Sequence, residues 1–134
     1  KINDTFGHQA GDMVLKDIGA IVDESCRDTD FAARFGGEEF VAILPQTNED
    51  QAWVLAERLR RKIENKTFQY ADKSFRVTAS IGVATLNPGS LEKREDLIRQ
   101  ADQALYLAKS SGRNMVCASQ KKPLAKPMAM ARPA

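Results

Sequence analysis

The spacing of apolar residues constrains this chain more than any other feature. Three stretches carry them at helical intervals, and between these lie short runs of aromatic and β-branched residues closed by turn formers. From Gln9 to about Cys26, Val14, Ile18, Ile21 and Val22 form one stripe, with Lys16, Asp17, Asp23 and Glu24 on other faces. Asn48 is placed to cap a second helix that buries Ala52, Leu55, Ala56, Leu59 and Ile63 and ends near Lys66 and Thr67. A third runs from about Arg94 to Ser111 over Leu97, Ala101, Ala104 and Ala108, with Gly112 placed to end it.

The strands are shorter. "DFAARF" and "EFVAIL" predict a β-hairpin joined by Gly36 and Gly37, because a two-glycine turn supplies the positive φ that tight primed turns need. "SFRVTASIGVATL", residues 74–86, is dense in β-branched residues and predicts one strand inside a sheet, followed by a turn at Asn87, Pro88 and Gly89. "NMVCA" predicts a last short strand. Placed behind one further strand, this order gives an α/β (α+β) architecture: a ferredoxin-like sandwich with a mainly antiparallel central sheet and helices packed on it. The 134 residues suit one domain, here residues 1–118, and the Pro, Ala, Lys and Met of 119–134 show no periodic face and predict a flexible tail.

Charge narrows the function. The net charge is +2, yet Lys121, Lys122, Lys126 and Arg132 all follow Ser119, leaving 16 basic against 18 acidic side chains in residues 1–120. That balance of −2 argues against a nucleic-acid surface. Cys26 and Cys117 are far apart and lack metal-ligand spacing, which favours a reduced cytosolic setting. With no apolar run near the roughly 20 residues that span a bilayer, no membrane contact by this domain is expected, although a parent protein could be anchored.

The chemistry gathers at the hairpin. Taken alone, Glu38 and Glu39 are readily explained as a solvated turn. The glycine pair adds a second reading, since glycines let a bulky anion approach the backbone and a carboxylate beside them can hold the magnesium that accompanies nucleotide phosphates. Asn3, His8 and Asp12 place an amide, an imidazole and a carboxylate around a glycine-containing helix entry, where they could pair with a guanine edge or simply cap and pack. Lys109 and Arg113, at the end of the third helix, suit either phosphate binding or compensation of the helix dipole.

In combination and in this order, "NDTFGHQAGD", "RFGGEEF", "ASIGVA" and "ADQALYLAKSSGRN" resemble the GGDEF family of diguanylate cyclases, over nearly all of residues 1–118. The resemblance implies that the domain binds GTP and that two domains meet through their catalytic faces as a homodimer. Each ribose 3′-hydroxyl then attacks the other's α-phosphate, giving cyclic di-GMP and two pyrophosphates. It implies that Glu38 ligates Mg2+ (or Mn2+) and can take the hydroxyl proton, with Glu39 beside it in the catalytic turn and Gly36 and Gly37 passing under the phosphates. Asn3 and Asp12 would read guanine, His8 would support the nucleotide, and Lys109 and Arg113 would hold the terminal phosphates.

The same resemblance assigns a second site. "RDTD", residues 27–30, stands where many members carry an RxxD inhibitory motif, so Arg27, Asp30 and Arg58 would bind the product, unless Arg27 and Asp30 are only an exposed ion pair. It also implies an upstream sensory or receiver domain and a cytoplasmic setting. Because the chain opens at Lys1, inside the family's usual "FKxIND" segment, the expectation is that the first core strand, its metal-binding aspartate and a charge-stabilising lysine are absent. The chain as it stands is then expected to be weak or inactive in catalysis. The competing reading is a catalytically inactive module that binds cyclic di-GMP or GTP to regulate a neighbour; a nucleotidyl cyclase or polymerase-like relative is a third.

Overall fold

A computed structural model describes residues 7–87, 89 and 93–119. These fall in two compact units, one within residues 1–47 and 61–77, the other within 48–60 and 78–134.

The first unit opens with helix α1, His8–Ser25, followed by strands β1, Phe31–Gly36, and β2, Glu39–Ile43. Val14 and Val22 of the predicted stripe are buried, and Ile18 and Ile21 are half-buried. β1 and β2 pair antiparallel, Phe31 opposite Ile43 and Arg34 opposite Phe40. Phe40 leans on α1 at Gly19, where an added Cβ would come within 3.9 Å of the ring. The unit closes with β3, Phe68–Tyr70, and β4, Lys73–Phe75, also antiparallel. Ile63 and Phe68 are its most deeply buried large side chains, and the Phe68 and Phe75 rings stack with centroids 5.9 Å apart.

The second unit is a β–α–β arrangement preceded by the first turns of α2, Glu49–Asn65. Strand β5, Ile81–Val83, lies parallel to β6, Val116–Ala118, with helix α3, Arg94–Ser110, between them in sequence and packed on both. A parallel pair requires a crossover of this kind. Ala104 and Ala108 are buried on the face of α3 that meets the strands, and Gly82 brings the β5 backbone against that helix. An added Cβ there would lie under 3.0 Å from Ala101 O, Leu105 N and Ala104 C.

The predicted cap of α2 is present in reciprocal form. Gln51 N donates to Asn48 Oδ1 at 2.8 Å, and Asn48 N donates to Gln51 Oε1 at 2.9 Å. Asn48→Ala removes the acceptor for one of the orphan helix donors and is expected to lower stability by about 1 kcal/mol, measured as a shift of the urea midpoint at unchanged slope.

Two details differ from expectation. Residues 74–86 do not form one strand: the stretch is divided between β4 and β5, and 76–80 carries no strand. β-Branched residues such as Val77 and Thr78 favour extended backbone, but a strand exists only where a neighbour completes its ladder. The β3–β4 hairpin was not foreseen either, because its turn opens with Ala71 at φ +57°, a position normally given to Gly, Asn or Asp. All three helices begin and end within a residue or two of the predicted limits, and the sheets comprise two antiparallel pairs and one parallel pair among the described residues.

Candidate functional site

In the first unit the β1–β2 tip is built around a single left-handed residue. Gly37 lies at φ +41°, whereas Gly36 is the last residue of β1 and pairs with Glu39. The central turn residues are therefore Gly37 and Glu38, not the two glycines: positive φ comes at the first central position only, the sign pattern of a type II′ turn. The register slips at Phe35, a bulge that adds one residue to β1 and re-aims the tip. Among the described residues nothing lies within 4 Å of where a Cβ would stand at Gly36 or Gly37, so none of them covers the backbone on that side.

Arg34 braces the turn, a role that sequence reading missed. Its Nε and Nη2 both donate to Gly37 O, at 3.1 and 2.8 Å. The only signal was an arginine three residues before the turn glycine. Glu38 and Glu39 are exposed at the tip, presenting carboxylates on a turn fixed by a cation that is itself already engaged.

α1 starts at His8 after Gly7, whose φ of +94° suits only glycine, and among the described residues no side chain caps this end. His8 and Asp12 are exposed and one helical turn apart, which places them on the same side of α1. Asn3, predicted with them, lies outside the described residues.

Arg27 and Asp30 are brought together. Arg27 Nη2 stands 3.0 Å from Asp30 Oδ1, Arg27 Nε donates to Oδ2 at 3.3 Å, and the backbone N of Arg27 donates to Oδ2 at 2.8 Å. Nη2 also reaches Pro45 O at 3.0 Å and Thr47 Oγ1 at 2.7 Å, tying the end of α1 to the segment after β2. The Asp30 side chain is 2% exposed and that of Arg27 57%, so the pair has one sealed and one open member. Hydrogen bonds from the Arg27 side chain and backbone hold the Asp30 carboxyl below its ordinary value.

A carboxyl depressed on folding contributes stability above its unfolded value and loses it as pH falls through the folded one. Wild type is therefore expected to resist urea better than Asp30→Asn at neutral pH, with the gap constant down to about pH 5 and closing below about pH 4. Urea midpoints measured across that range check this, and a gap unchanged at low pH would contradict it.

In the second unit Lys109 is exposed in the last turn of α3. Arg113, also exposed, follows Gly112, which at φ +122° ends the helix as expected, and Arg113 N donates back to Ala108 O at 2.9 Å. That bond is the longer of the two closing a Schellman motif, and it fixes the Arg113 backbone to the helix end. Arg58 is exposed on α2. Two positions further on, Arg60 is buried, a feature that the helical stripe did not signal.

For a metal, the donor set is one exposed turn carrying adjacent carboxylates, and no group of three or more His, Cys, Asp or Glu suited to a metal occurs among the described residues. This fits a cation such as magnesium, which is commonly held by one or two carboxylates together with substrate phosphates and water.

Residues 1–115 match the family model described as diguanylate cyclase, GGDEF domain. Diguanylate cyclase A of Treponema denticola is 44% identical over 119 residues, which are 89% of this chain and 32% of that protein. The response regulator PleD of Caulobacter vibrioides is 42% identical over 118 residues, 87% of this chain and 26% of the relative. Among solved structures, the GGDEF domain of DgcB from Caulobacter crescentus in complex with c-di-GMP superposes with a TM-score of 0.84 at 32% identity, covering 90% of this chain and 71% of the other. The chain belongs to the GGDEF diguanylate cyclase family, and its fold is the ferredoxin-like α/β fold of that family. It spans about a third or less of the curated relatives it matches.

Proposed function

We propose that the protein is a diguanylate cyclase that joins two GTP molecules into cyclic di-GMP with release of two pyrophosphates. The observation that carries this reading is the exposed Gly36–Glu39 tip: open backbone at both glycines, with Glu38 and Glu39 at the end of a braced turn. The family match and relatives named as diguanylate cyclases support it.

Glu38 would hold the divalent metal, Mg2+ or Mn2+, whose charge would offset that of the phosphates. Glu38 also receives the proton of the attacking 3′-hydroxyl, while Glu39 adds negative charge beside it. Gly36 and Gly37 let the phosphates lie on the backbone. Asn3 and Asp12 bind guanine, His8 supports the nucleotide, and Lys109 and Arg113 take the terminal phosphates. Because one domain holds one GTP, the two-fold product requires two copies face to face.

Arg27, Asp30 and Arg58 form the product site in this reading. Arg27, its side chain 57% exposed although Nε and Nη2 are engaged, is positioned by the sealed Asp30 to offer the rest of its guanidinium to a guanine or phosphate. Control comes from an upstream domain, as the name of the response-regulator relative suggests. The reaction runs in the cytoplasm, and no helix among the described residues is long and apolar enough to cross a membrane.

The test is to incubate the full-length protein with GTP and magnesium and separate the nucleotides by chromatography, with ATP as a control substrate. Cyclic di-GMP formed from GTP alone supports the reading. Tight binding of cyclic di-GMP with no turnover overturns it in favour of a regulatory binding module.

A further inference from the structure

We infer that Arg60 is a positioning residue that, through Asn114, aims Arg113 at the terminal phosphates of the nucleotide. The inference rests on the proposed GTP site.

Arg60 is only 7% exposed, yet every nitrogen of its guanidinium has a partner. Nε and Nη2 grip Glu57 Oε1 and Oε2 at 3.1 and 2.8 Å, a bidentate fork one helical turn back on α2. That fork leaves Nη1 pointing away, and it donates to Asn114 Oδ1 at 2.8 Å. A guanidinium fixed on one edge has little freedom on the other, so the position of Asn114 is dictated by α2.

The backbone gives this strut its purpose. Arg113 and Asn114 sit at φ +65° and +52°, two consecutive non-glycine residues in the left-handed region. Asparagine tolerates that region, but arginine is disfavoured there, and such a conformation persists only where its surroundings over-determine it. Three bonds do so: Arg113 N to Ala108 O, Asn114 N to Ser80 Oγ at 3.2 Å, and the Arg60–Asn114 contact. The last of these acts through the Asn114 side chain. Immediately afterwards Met115 O accepts from Ile81 N at 2.9 Å and the chain enters β6. Arg113 is thus an exposed cation on a left-handed pivot, held between the end of α3 and a residue anchored to buried Arg60.

The experiment measures binding of GTP and of GMP, each with magnesium, by calorimetry on the intact protein and on Arg113→Ala, Asn114→Gly, Asn114→Asp and Arg60→Lys. Glycine at 114 accepts the positive φ and deletes only the side chain, so this variant keeps its fold even if Arg60→Lys does not. Aspartate retains the acceptor. Expected results are GTP affinity weakened about tenfold in Arg113→Ala and severalfold in Asn114→Gly, GMP affinity unchanged in both, and Asn114→Asp close to wild type; a tenfold loss corresponds to about 1.4 kcal/mol. If Arg113→Ala weakens GTP but Asn114→Gly does not, the strut is overturned while the GTP site stands. Equal weakening of GTP and GMP in Asn114→Gly marks a general structural role and also overturns it. If Arg113→Ala leaves GTP binding intact, the assignment of the terminal-phosphate site fails and the inference falls with it.

Discussion

Glu38→Gln is expected to reduce the rate of cyclic di-GMP formation by roughly 10²- to 10³-fold while leaving the fold intact. Glutamine has the same shape, and Glu38 is exposed on a turn whose geometry is set by Gly37 and by Arg34 holding the Gly37 carbonyl. The substitution removes a charge rather than a packing contact. A neutral amide is a poor ligand for a hard dication and cannot receive a hydroxyl proton, so both functions proposed for Glu38 are lost together. Chromatographic product assays at saturating GTP and magnesium, with circular dichroism to establish unchanged structure, provide the check. A variant within twofold of wild type would falsify the assignment of Glu38.

Gly82→Ala is expected to lower stability by about 3 kcal/mol or more, far beyond the cost of an ordinary glycine-to-alanine change. The methyl would meet Ala101 O, Leu105 N and Ala104 C, which belong to the backbone of α3 and cannot rotate away as a flexible side chain would. Either the helix moves off β5, uncovering Ala104 and Ala108, or the strand shifts and strains its pairing with β6. With total stabilities of about 5–15 kcal/mol, such a loss removes a large fraction of the whole. Urea unfolding gives the value directly. A cost below about 1 kcal/mol would mean that α3 can slide on the sheet without penalty.

How much could be read in the chain depended on whether a residue answers to its sequence neighbours or to distant ones. Helix limits were legible because capping and periodicity are local: the reciprocal bonds of Asn48 and Gln51 and the closure at Gly112 involve residues only a few positions apart. The motif positions at the hairpin tip were likewise legible, although which glycine turns the chain was not, since a bulge at Phe35 shifts the frame by one residue. Residues 74–86 misled because strand formation depends on partners outside the segment, and β-branched composition is silent about them. Arg60 was hidden for the opposite reason. Charged residues on a helix are ordinarily solvated, and only the loop after α3 reveals that this buried one has a partner in Asn114.

The parallel pairing of β5 with β6 has a consequence for how the chain acquires its structure. During synthesis, at about 5–20 residues per second, β5 leaves the ribosome seconds before β6 exists, and a parallel pair cannot form from adjacent chain. The β1–β2 and β3–β4 hairpins face no such delay, because each closes over a two-residue turn. Helix α3 lies between the two strands in the chain, so β6 can align with β5 only after the helix has been synthesised. Gly82 lets α3 sit directly against β5, so the helix that the parallel pair requires covers that strand closely once it docks.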